Sequence, residues 1–238
     1  MDLGIRGKVA LVTAASKGLG RASAAALAEA GCTVVICARG EEALRATAAE
    51  IGAVAITSDV TQPDEPARLV AATVEHFGSI DILVANAGGP PPMSALDVDD
   101  AAIAAAVNAN LTTSVRLVRE AAPHMRASRW GRICCITSSS VKQPIPTLAL
   151  SNLARTGLWS WAKTAAADLF VDGITLNLAC PGLHATDRIR SLGVDVDGPN
   201  IGDPADFGSI VAFLCSEPAK FVSGTAVMVD GAASQGLL

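Results

Sequence analysis

The stretch that decides the fold is "TAASKGLG", Thr13 to Gly20, which joins a short apolar run to an alanine-rich segment. Glycines between a strand and a helix allow backbone N–H groups at the positive end of the helix to approach a pyrophosphate. The same letters are compatible with an ordinary tight turn. The position of the stretch, directly after the first apolar run, therefore carries more weight than its glycine pattern.

Short apolar runs alternate with longer segments of helical period along the whole chain. This alternation is typical of a parallel sheet covered by helices on both faces. Strands are predicted at 8–13, 33–38, 54–57, 81–86, 132–137, 174–179 and 226–230. Helices are predicted at 19–30, from 41 to before Gly52, and at 64–77, 99–127, 150–171 and 204–216, with irregular segments at 88–92 and 193–204. No linker or repeat divides the 238 residues, so we expect a single α/β domain, residues 1–238, with a doubly wound, seven-stranded parallel sheet.

The composition argues against several classes of protein. Hydrophobic residues make up 50% of the chain and charged residues 17%, and a mean hydropathy of +0.41 indicates a packed globular protein. The net charge of −5 and the lack of a Lys or Arg stripe argue against a nucleic-acid partner. The N-terminus is unlike a signal peptide, and no uninterrupted apolar segment looks long enough to span a bilayer, so no membrane partner is expected.

Six cysteines stand at positions 32, 37, 134, 135, 180 and 215, without a CxxC pair or zinc-ligand spacing. Several lie in the apolar runs, so we interpret them as buried, reduced core residues and expect no metal site. Reduced thiols favour a cytoplasmic protein, because an oxidising compartment would risk mispairing.

Several segments resemble the short-chain dehydrogenase/reductase family, and the resemblance covers nearly the whole chain. The glycine-rich turn is similar to the family's TGxxxGxG, and the chain is similar in particular to 3-oxoacyl-acyl-carrier-protein reductases. The other matching segments are "SDV" (58–60), "ANAG" (85–88), "NANLTTS" (108–114), Ser138, "PGLHAT" (181–186) and "VSGTAVMVDGAA" (222–233). The resemblance implies a Rossmann-type fold with helices on both faces, a nicotinamide dinucleotide cofactor, and hydride transfer involving a small-molecule substrate.

The resemblance also implies which residues hold the cofactor. They are Thr13, Ser16, Lys17, Gly18, Leu19, Gly20, Arg39, Asp59, Val60, Asn86, Ala87, Gly88, Arg155, Pro181, Gly182 and Thr186. One departure from the family is Ala14, which replaces the first glycine of the turn. The chain must accept a Cβ at this position, so we expect Ala14 to avoid a positive φ.

The residue after the second strand bears on the choice between NAD(H) and NADP(H). No Asp or Glu stands at this strand end to hold the adenosine ribose 2′-hydroxyl, and Arg39 stands there instead. Together with Lys17 it offers two cations to a 2′-phosphate, which predicts NADP(H) as the cofactor. Taken singly, each cation is more often a solvated surface charge.

The family's tyrosine and lysine, in the motif YxxxK, correspond to Ser151 and Arg155 in "SNLARTGL" (151–158). The two residues are four apart and share one helix face. The family's tyrosine donates a proton to the reduced carbonyl oxygen, whereas serine is far less acidic and arginine stays protonated. No tyrosine occurs anywhere in the chain. Loss of a positioned general acid costs about 10²–10⁴ in rate, so ordinary ketone reduction is expected to be slow.

The resemblance implies two further catalytic residues, Asn110 and Ser138. Asn110 kinks its helix and holds a water in the family, and a purely structural role is about as compatible with its position here. Ser138 is predicted to contact the oxyanion, although serines at strand ends also bond to turn N–H groups. A proton could come from water along a chain of hydroxyls or from His184, whose alternative is an exposed loop histidine.

These residues favour an NADP(H)-dependent oxidoreductase that acts on a conjugated carbonyl, quinone, imine or activated ketone. Such substrates need little acid, because the charge they develop is delocalised or already neutralised. Short-chain reductases of antibiotic pathways are similar in lacking the tyrosine and in the "TDR" at 186–188. The alternatives are a catalytically impaired cofactor-binding partner and a non-redox dehydratase or isomerase.

Two expectations concern the surface of the molecule. The helices at 99–127 and 150–171 are apolar around much of their circumference, which predicts a homodimer or homotetramer built on them. The stiff loop "GGPPPM" (88–93) directly follows "ANAG", so it is predicted to line the substrate mouth, with a rigid surface loop as the alternative.

Overall fold

Seven parallel strands form the central sheet in a computed structural model, which describes residues 1–236. The sheet order is β3-β2-β1-β4-β5-β6-β7. The strands are β1 Val9–Val12, β2 Thr33–Ala38, β3 Val54–Thr57, β4 Ile82–Ala85, β5 Gly131–Ile136, β6 Ile174–Pro181 and β7 Ala226–Val229. The order reverses between β1 and β4, and in folds of this type ligands bind outside the carboxyl ends of the strands at that point.

Eight α-helices are found among the described residues, and they cover both faces of the sheet. They are α1 Gly18–Glu29, α2 Glu41–Ile51, α3 Glu65–Phe77, α4 Asp100–Val107, α5 Thr113–Ser128, α6 Ala149–Phe170, α7 Asp187–Ser191 and α8 Pro204–Leu214. A π-helical turn, Asn108–Thr112, joins α4 to α5. The predicted doubly wound fold is therefore confirmed, with element bounds that differ by up to two residues. Only α7 was not predicted, because five residues are too few to show a helical period.

The apolar core lies in two layers, one on each face of the sheet. Successive side chains of a strand point to opposite faces. Leu11 of β1 accordingly packs with residues of α3, α5 and α6, whereas its neighbours Ala10 and Val12 pack with residues of α1, α2 and α8. Five of the six cysteines are fully buried in these layers, as predicted, and Cys32 is half-buried. Burial raises the pKa of Cys135 to about 12, which makes it an unreactive thiol.

The expectation that no segment is long enough to span a bilayer is wrong for the helical segment from α4 through the π turn to α5. Residues Asp100–Ser128 are long and apolar enough to cross a membrane by length and composition, with a mean hydropathy of 1.2 in the most apolar window. No such segment was expected from the sequence. In the structure this segment packs against β4, β5 and α6, and core helices of globular folds pass the same test of length and composition.

The turn between β1 and α1 contains a strained residue that the sequence did not predict. Ala14 has a φ of +48°, in the left-handed region, so the expectation that it avoids a positive φ is wrong. A left-handed conformation costs a non-glycine residue roughly 1–2 kcal/mol. Hydrogen bonds on both sides enforce it: Asn86 Nδ2 donates to the Ala14 carbonyl at 3.2 Å, and the Ala15 amide donates to the Cys37 carbonyl at 3.0 Å.

We expect Ala14→Gly to raise the free energy of unfolding by about 1 kcal/mol, because glycine adopts a positive φ without the steric cost. Urea denaturation of the two proteins measures the difference. Ala15→Gly is the matched control: Ala15 is fully buried and lacks a positive φ, so this variant should lose about 1 kcal/mol instead. A loss of stability in Ala14→Gly would show that the turn is not strained.

Candidate active site

The carboxyl ends of β1, β4, β5 and β6 meet at one edge of the sheet. The segments that follow these strands carry most of the residues predicted to act together. The glycine-rich turn follows β1, Asn86 follows β4, Ser138 follows β5 closely, and Gly182 follows β6. The fold therefore brings four separate predicted motifs to the point where the strand order reverses.

Thr13 and Asn86 lock the first two of these segments together. The Thr13 hydroxyl donates to the Asn86 carbonyl at 2.7 Å and accepts from the Asn86 amide at 2.8 Å. Thr13 is fully buried, so its side chain fixes the position of the glycine-rich turn against the end of β4. The Thr13 side chain therefore contributes to the predicted cofactor site by holding its backbone in place.

The glycine-rich turn itself allows no added bulk at Gly20. A Cβ on Gly20 would lie 2.6 Å from the Ala14 carbonyl oxygen and 2.7 Å from Asn86 Nδ2. Gly18 has a φ of +60° and lies beside the methyl group of Thr186. Lys17 stands at the N-cap of α1 and caps no backbone N–H with its side chain, so the first N–H groups of the helix are left to an anion. This arrangement fits a dinucleotide pyrophosphate.

The two cations predicted to select NADP(H) are both exposed at this edge. The Lys17 ammonium lies 3.8 Å from the Asp187 carboxylate in a solvated ion pair, which contributes little to stability and can be exchanged for another anion. Arg39 directly follows β2, and its charge helps to lower the pKa of Asp59, after the larger effect of the hydrogen bond from the Thr61 hydroxyl. No carboxylate occupies the position of Arg39.

Three other residues predicted to bind the cofactor, Ser16, Leu19 and Val60, make contacts within the fold through a side chain or a backbone carbonyl. Val60 packs in the core layer of α3, α5 and α6, and Leu19 packs against the opposite layer. The Ser16 carbonyl accepts a hydrogen bond from the Thr47 hydroxyl at 2.9 Å. Of Val60 and Leu19 only the backbone can present polar groups to a ligand.

The two loops after β4 and β6 hold the remaining predicted cofactor residues. Ala87 and Gly88 follow Asn86 and are partly or fully exposed. Pro181 ends β6, and a Cβ on Gly182 would lie 2.6 Å from the Cβ of Asp230. A glycine is therefore required for the loop to pass β7 at this distance.

Arg155 is a buried cation with backbone partners only. Its side chain is 7% exposed, and Nη1 donates to the Ile136 carbonyl at 3.0 Å and to the Thr137 carbonyl at 2.8 Å. Burial lowers the pKa of Arg155 to about 10, and the positive charge of Arg188 adds to this effect. The guanidinium is still protonated at neutral pH. Among residues 1–236, no carboxylate forms an ion pair with it and its Nε and Nη2 have no hydrogen-bond partner.

The two predicted active-site hydroxyls belong to residues close to this cation, one on its own helix and one next to the carbonyl that binds it. Ser151 lies one helical turn before Arg155 in α6 and is 6% exposed. Ser138 directly follows Thr137, whose carbonyl holds the guanidinium. Ser138 Oγ accepts a hydrogen bond from the Ser140 amide at 3.1 Å, so it caps the short turn after β5 and keeps its own hydrogen free to donate.

Asn110 lies in the π turn, where the helix that carries it is locally widened. Its Nδ2 donates to the Ala106 carbonyl at 3.4 Å, and its Oδ1 is buried with no partner in the described part of the chain. The π turn packs against α6, which carries Ser151 and Arg155. The predicted distortion of the helix is thus present, and the unpaired oxygen is an acceptor suited to a water or ligand donor.

His184 does not match the prediction of an exposed loop histidine. The residue is 4% exposed, and its ring lies edge-on to Phe207 of α8 at 5.3 Å between centroids. Nδ1 lies 3.4 Å from the Gly182 carbonyl, and burial lowers the pKa of the ring. A neutral ring packed on α8 is a poor proton donor for the site.

Arg188, which forms one wall of the site, was not among the site residues predicted from the sequence. Arg188 of α7 reaches across to the loop after β4, where its Nη2 donates to the Pro90 carbonyl at 2.6 Å. The same loop is fixed on its other side, since the Met93 amide donates to the Thr147 carbonyl at 2.8 Å. Residues 88–93 and α7 thus face each other across the predicted substrate mouth. The contact joins residues 98 positions apart, and no local pattern could have revealed it.

Comparison with known proteins places the chain among reductases. A family model described as enoyl-(acyl carrier protein) reductase matches residues 13–234. The 3-oxoacyl-[acyl-carrier-protein] reductase MabA of Mycobacterium tuberculosis is 30% identical, over 95% of this chain and 92% of that protein.

Two solved structures that share this fold are also more than 25% identical in sequence to this chain. L-sorbose reductase of Gluconobacter frateurii, complexed with NADPH and L-sorbose, is 30% identical with a TM-score of 0.91 and covers 100% of both chains. A 3-oxoacyl (acyl-carrier-protein) reductase of Agrobacterium tumefaciens C58 with NADP bound is 26% identical with a TM-score of 0.89, over 97% of this chain and 95% of that one. With the family model and the similarity to MabA, these matches show that the chain belongs to the short-chain dehydrogenase/reductase family.

Proposed function

We propose that the protein is an NADP(H)-dependent reductase that works without a tyrosine acid, on substrates that need little proton donation. The observation that carries the proposal is the buried Arg155 cation beside Ser138 and Ser151, in a chain with no tyrosine. The substrate class is a conjugated carbonyl, a quinone, an imine or an activated ketone. A place in secondary metabolism accords with such a substrate.

The cofactor would be held by the turn at the start of α1 and by the two exposed cations. The N–H groups at the start of α1 receive the pyrophosphate, and Lys17 and Arg39 receive the 2′-phosphate of NADP(H). When bound, NADPH supplies a hydride to the substrate. The NADPH complex of the 30% identical L-sorbose reductase supports the same choice.

The side chains around the substrate oxygen set the chemistry. Arg155 brings a fixed positive charge that stabilises negative charge developing on that oxygen. Ser138 and Ser151 donate hydrogen bonds to it, but a serine hydroxyl is too weak an acid to complete the proton transfer. The site therefore stabilises an oxyanion without readily protonating it. Substrates that spread or neutralise this charge are favoured over simple ketones.

The absence of a strong acid is also compatible with a protein that binds NADPH without turnover. The unpaired, buried Oδ1 of Asn110 favours an enzyme, because a buried polar atom left without a partner is costly unless a water or a ligand supplies one. Loss of NADPH absorbance with a substrate separates the two functions.

Two further properties belong to the proposal. The protein forms a homodimer or homotetramer through α5 and α6, supported by a shallow groove between these helices. Its lining is mainly apolar but includes three charged side chains: Val118, Arg119, Ala122, Arg126, Trp161, Ala165, Asp168 and Leu169. The protein works in the cytoplasm, which is supported by buried free cysteines spread over several strands. We expect neither a nucleic-acid partner nor a membrane partner.

Arg39→Asp should reverse the cofactor preference, because a carboxylate repels the 2′-phosphate and binds the 2′-hydroxyl of NADH. We expect the affinity for NADPH to fall by about ten- to a hundredfold. Fluorescence titration with NADPH and NADH measures both affinities. Arg45→Asp is the matched control, since Arg45 is an exposed cation of α2 paired with Glu41. An unchanged preference in Arg39→Asp would contradict the assignment of NADP(H) to this cation.

The wild-type protein should oxidise NADPH faster with cyclohexenone or menadione than with cyclohexanone, because only the first two delocalise the developing charge. The double variant Ser151→Tyr with Arg155→Lys supplies the missing acid. We expect it to raise kcat/KM for cyclohexanone by about 10²–10⁴. The measurement is the loss of NADPH absorbance.

Ser160→Tyr serves as the control for that variant, because Ser160 is an exposed residue of the same helix. It adds a tyrosine away from the site and should change no rate. If the double variant left both the enone and the ketone rates as they were, Ser151 and Arg155 would not lie beside the reacting atoms. If no substrate in the panel oxidised NADPH, the reductase would be ruled out in favour of a binding protein.

A further inference from the structure

Two guanidinium groups without an acidic partner line the candidate active site. Arg155 donates to the backbone carbonyls of Ile136 and Thr137, and Arg188 donates to that of Pro90. Neither forms an ion pair within residues 1–236. Six of the other arginines form an ion pair with a carboxylate, among them the buried Arg132 with Glu217. Arg155 is buried like Arg132 but is held by backbone carbonyls alone.

The two groups are close enough to repel each other. The charge of Arg188 disfavours the protonated form of Arg155. The Arg188 guanidinium also lies against the backbone of Gly89, where an added Cβ would come within 3.2 Å of its Nε. Like charges held together in a partly dehydrated site are unfavourable unless an anion is present. A ligand with a negative charge would therefore offset the repulsion between the two guanidinium groups.

The acidic residues nearby do not supply this charge. Asp187 precedes Arg188 in the chain, but its carboxylate pairs with Lys17 and Arg190 instead. Asp230, which faces the loop after β6, uses its two oxygens to accept from the amides of Ala232 and Ser234. Two cations, Lys142 and Arg155, and one carboxylate, Asp230, lie near enough to Cys180 to act on its pKa. The local balance on this side of the site is positive.

The cofactor does not bring the missing anion to this place either. In the proposed function its phosphates lie at the start of α1 and at Lys17 and Arg39. Arg155 is held at the end of β5, and the Arg188 side chain reaches from α7 to Pro90, whereas its neighbour Asp187 reaches Lys17 at the start of α1. An anion between Arg155 and Arg188 has to arrive with the substrate.

We infer that the substrate carries a carboxylate next to its reducible group, and that Arg188 binds this carboxylate. The inference rests on the proposed function and narrows its substrate class. Arg188 Nη2 donates one of its two hydrogens to Pro90. Its other hydrogen, with that of Nε or of Nη1, leaves a two-pronged donor for a planar carboxylate. Arg155, Ser138 and Ser151 then remain for the carbonyl oxygen. A carboxylate beside a ketone also makes that ketone more electrophilic, which suits a site without a strong acid.

Benzylidenepyruvate and its methyl ester test the inference, because they differ in the negative charge and otherwise by a single methyl group. Binding is measured by calorimetry to the complex with NADP⁺, which cannot reduce either probe. We expect the wild type to bind the acid about ten- to a hundredfold more tightly than the ester. Arg188→Ala should abolish this difference by weakening the acid alone. Arg190→Ala, which removes an exposed cation of the same short helix, should keep it.

Three results would overturn the inference. They are equal affinities of the wild type for acid and ester, binding of neither probe, and a preference for the acid that survives in Arg188→Ala. A fall in NADPH affinity in Arg188→Ala, with the preference for the acid intact, would assign Arg188 to the cofactor and overturn it as well.

Failure of the proposed function has a different signature. If NADPH oxidation proceeds with cyclohexenone or menadione while the acid and ester bind equally, the reductase stands and only the carboxylate is wrong. If the protein does not bind NADPH at all, the proposed function is lost, and this inference with it.

Discussion

The hydrogen bonds from Arg155 to the carbonyls of Ile136 and Thr137 are the constraint on which the site depends. They tie α6 to the end of β5 and hold a positive charge in a place from which water is largely excluded. Burying a charge without a counter-ion costs several kcal/mol. A fold that keeps such a charge, with two of the guanidinium nitrogens unpaired among the described residues, supports the proposal of an anionic or strongly polar ligand.

The rest of the site follows from the sheet. Thr13 and Asn86 join the turn after β1 to the turn after β4, and this contact sets where the start of α1 points. The same contact forces Ala14 into a strained conformation. The proposed site has two positive regions: the start of α1, proposed for the cofactor, and the pair Arg155 and Arg188, proposed for the substrate. The nicotinamide end of a bound dinucleotide would lie between them.

Much of the fold could be predicted from the sequence, because apolar runs and helical periods are local and the strands are almost wholly buried. Ser151 and Arg155 could be assigned to one helix face because spacing is local too. The missed features depend on contacts between distant segments. The φ of Ala14 is imposed by Asn86, the burial of His184 by Phe207, and the position of Arg188 by Pro90. Each of these partners lies many residues away from the residue it contacts, so no local sequence pattern predicts the contact.

The central claim is that the site contains a cation that keeps its charge at neutral pH and no acid that titrates near neutral pH. It is tested most directly by kcat/KM for NADPH-dependent reduction of cyclohexenone from about pH 7 to about pH 10. Burial lowers the pKa of His184 and raises that of Cys180, so neither changes its charge state near the middle of this range. The account predicts a flat profile that falls only as Arg155, with a pKa of about 10, loses its proton. A sigmoidal profile with its midpoint between about pH 7 and about pH 9 would reveal a general acid and contradict the account.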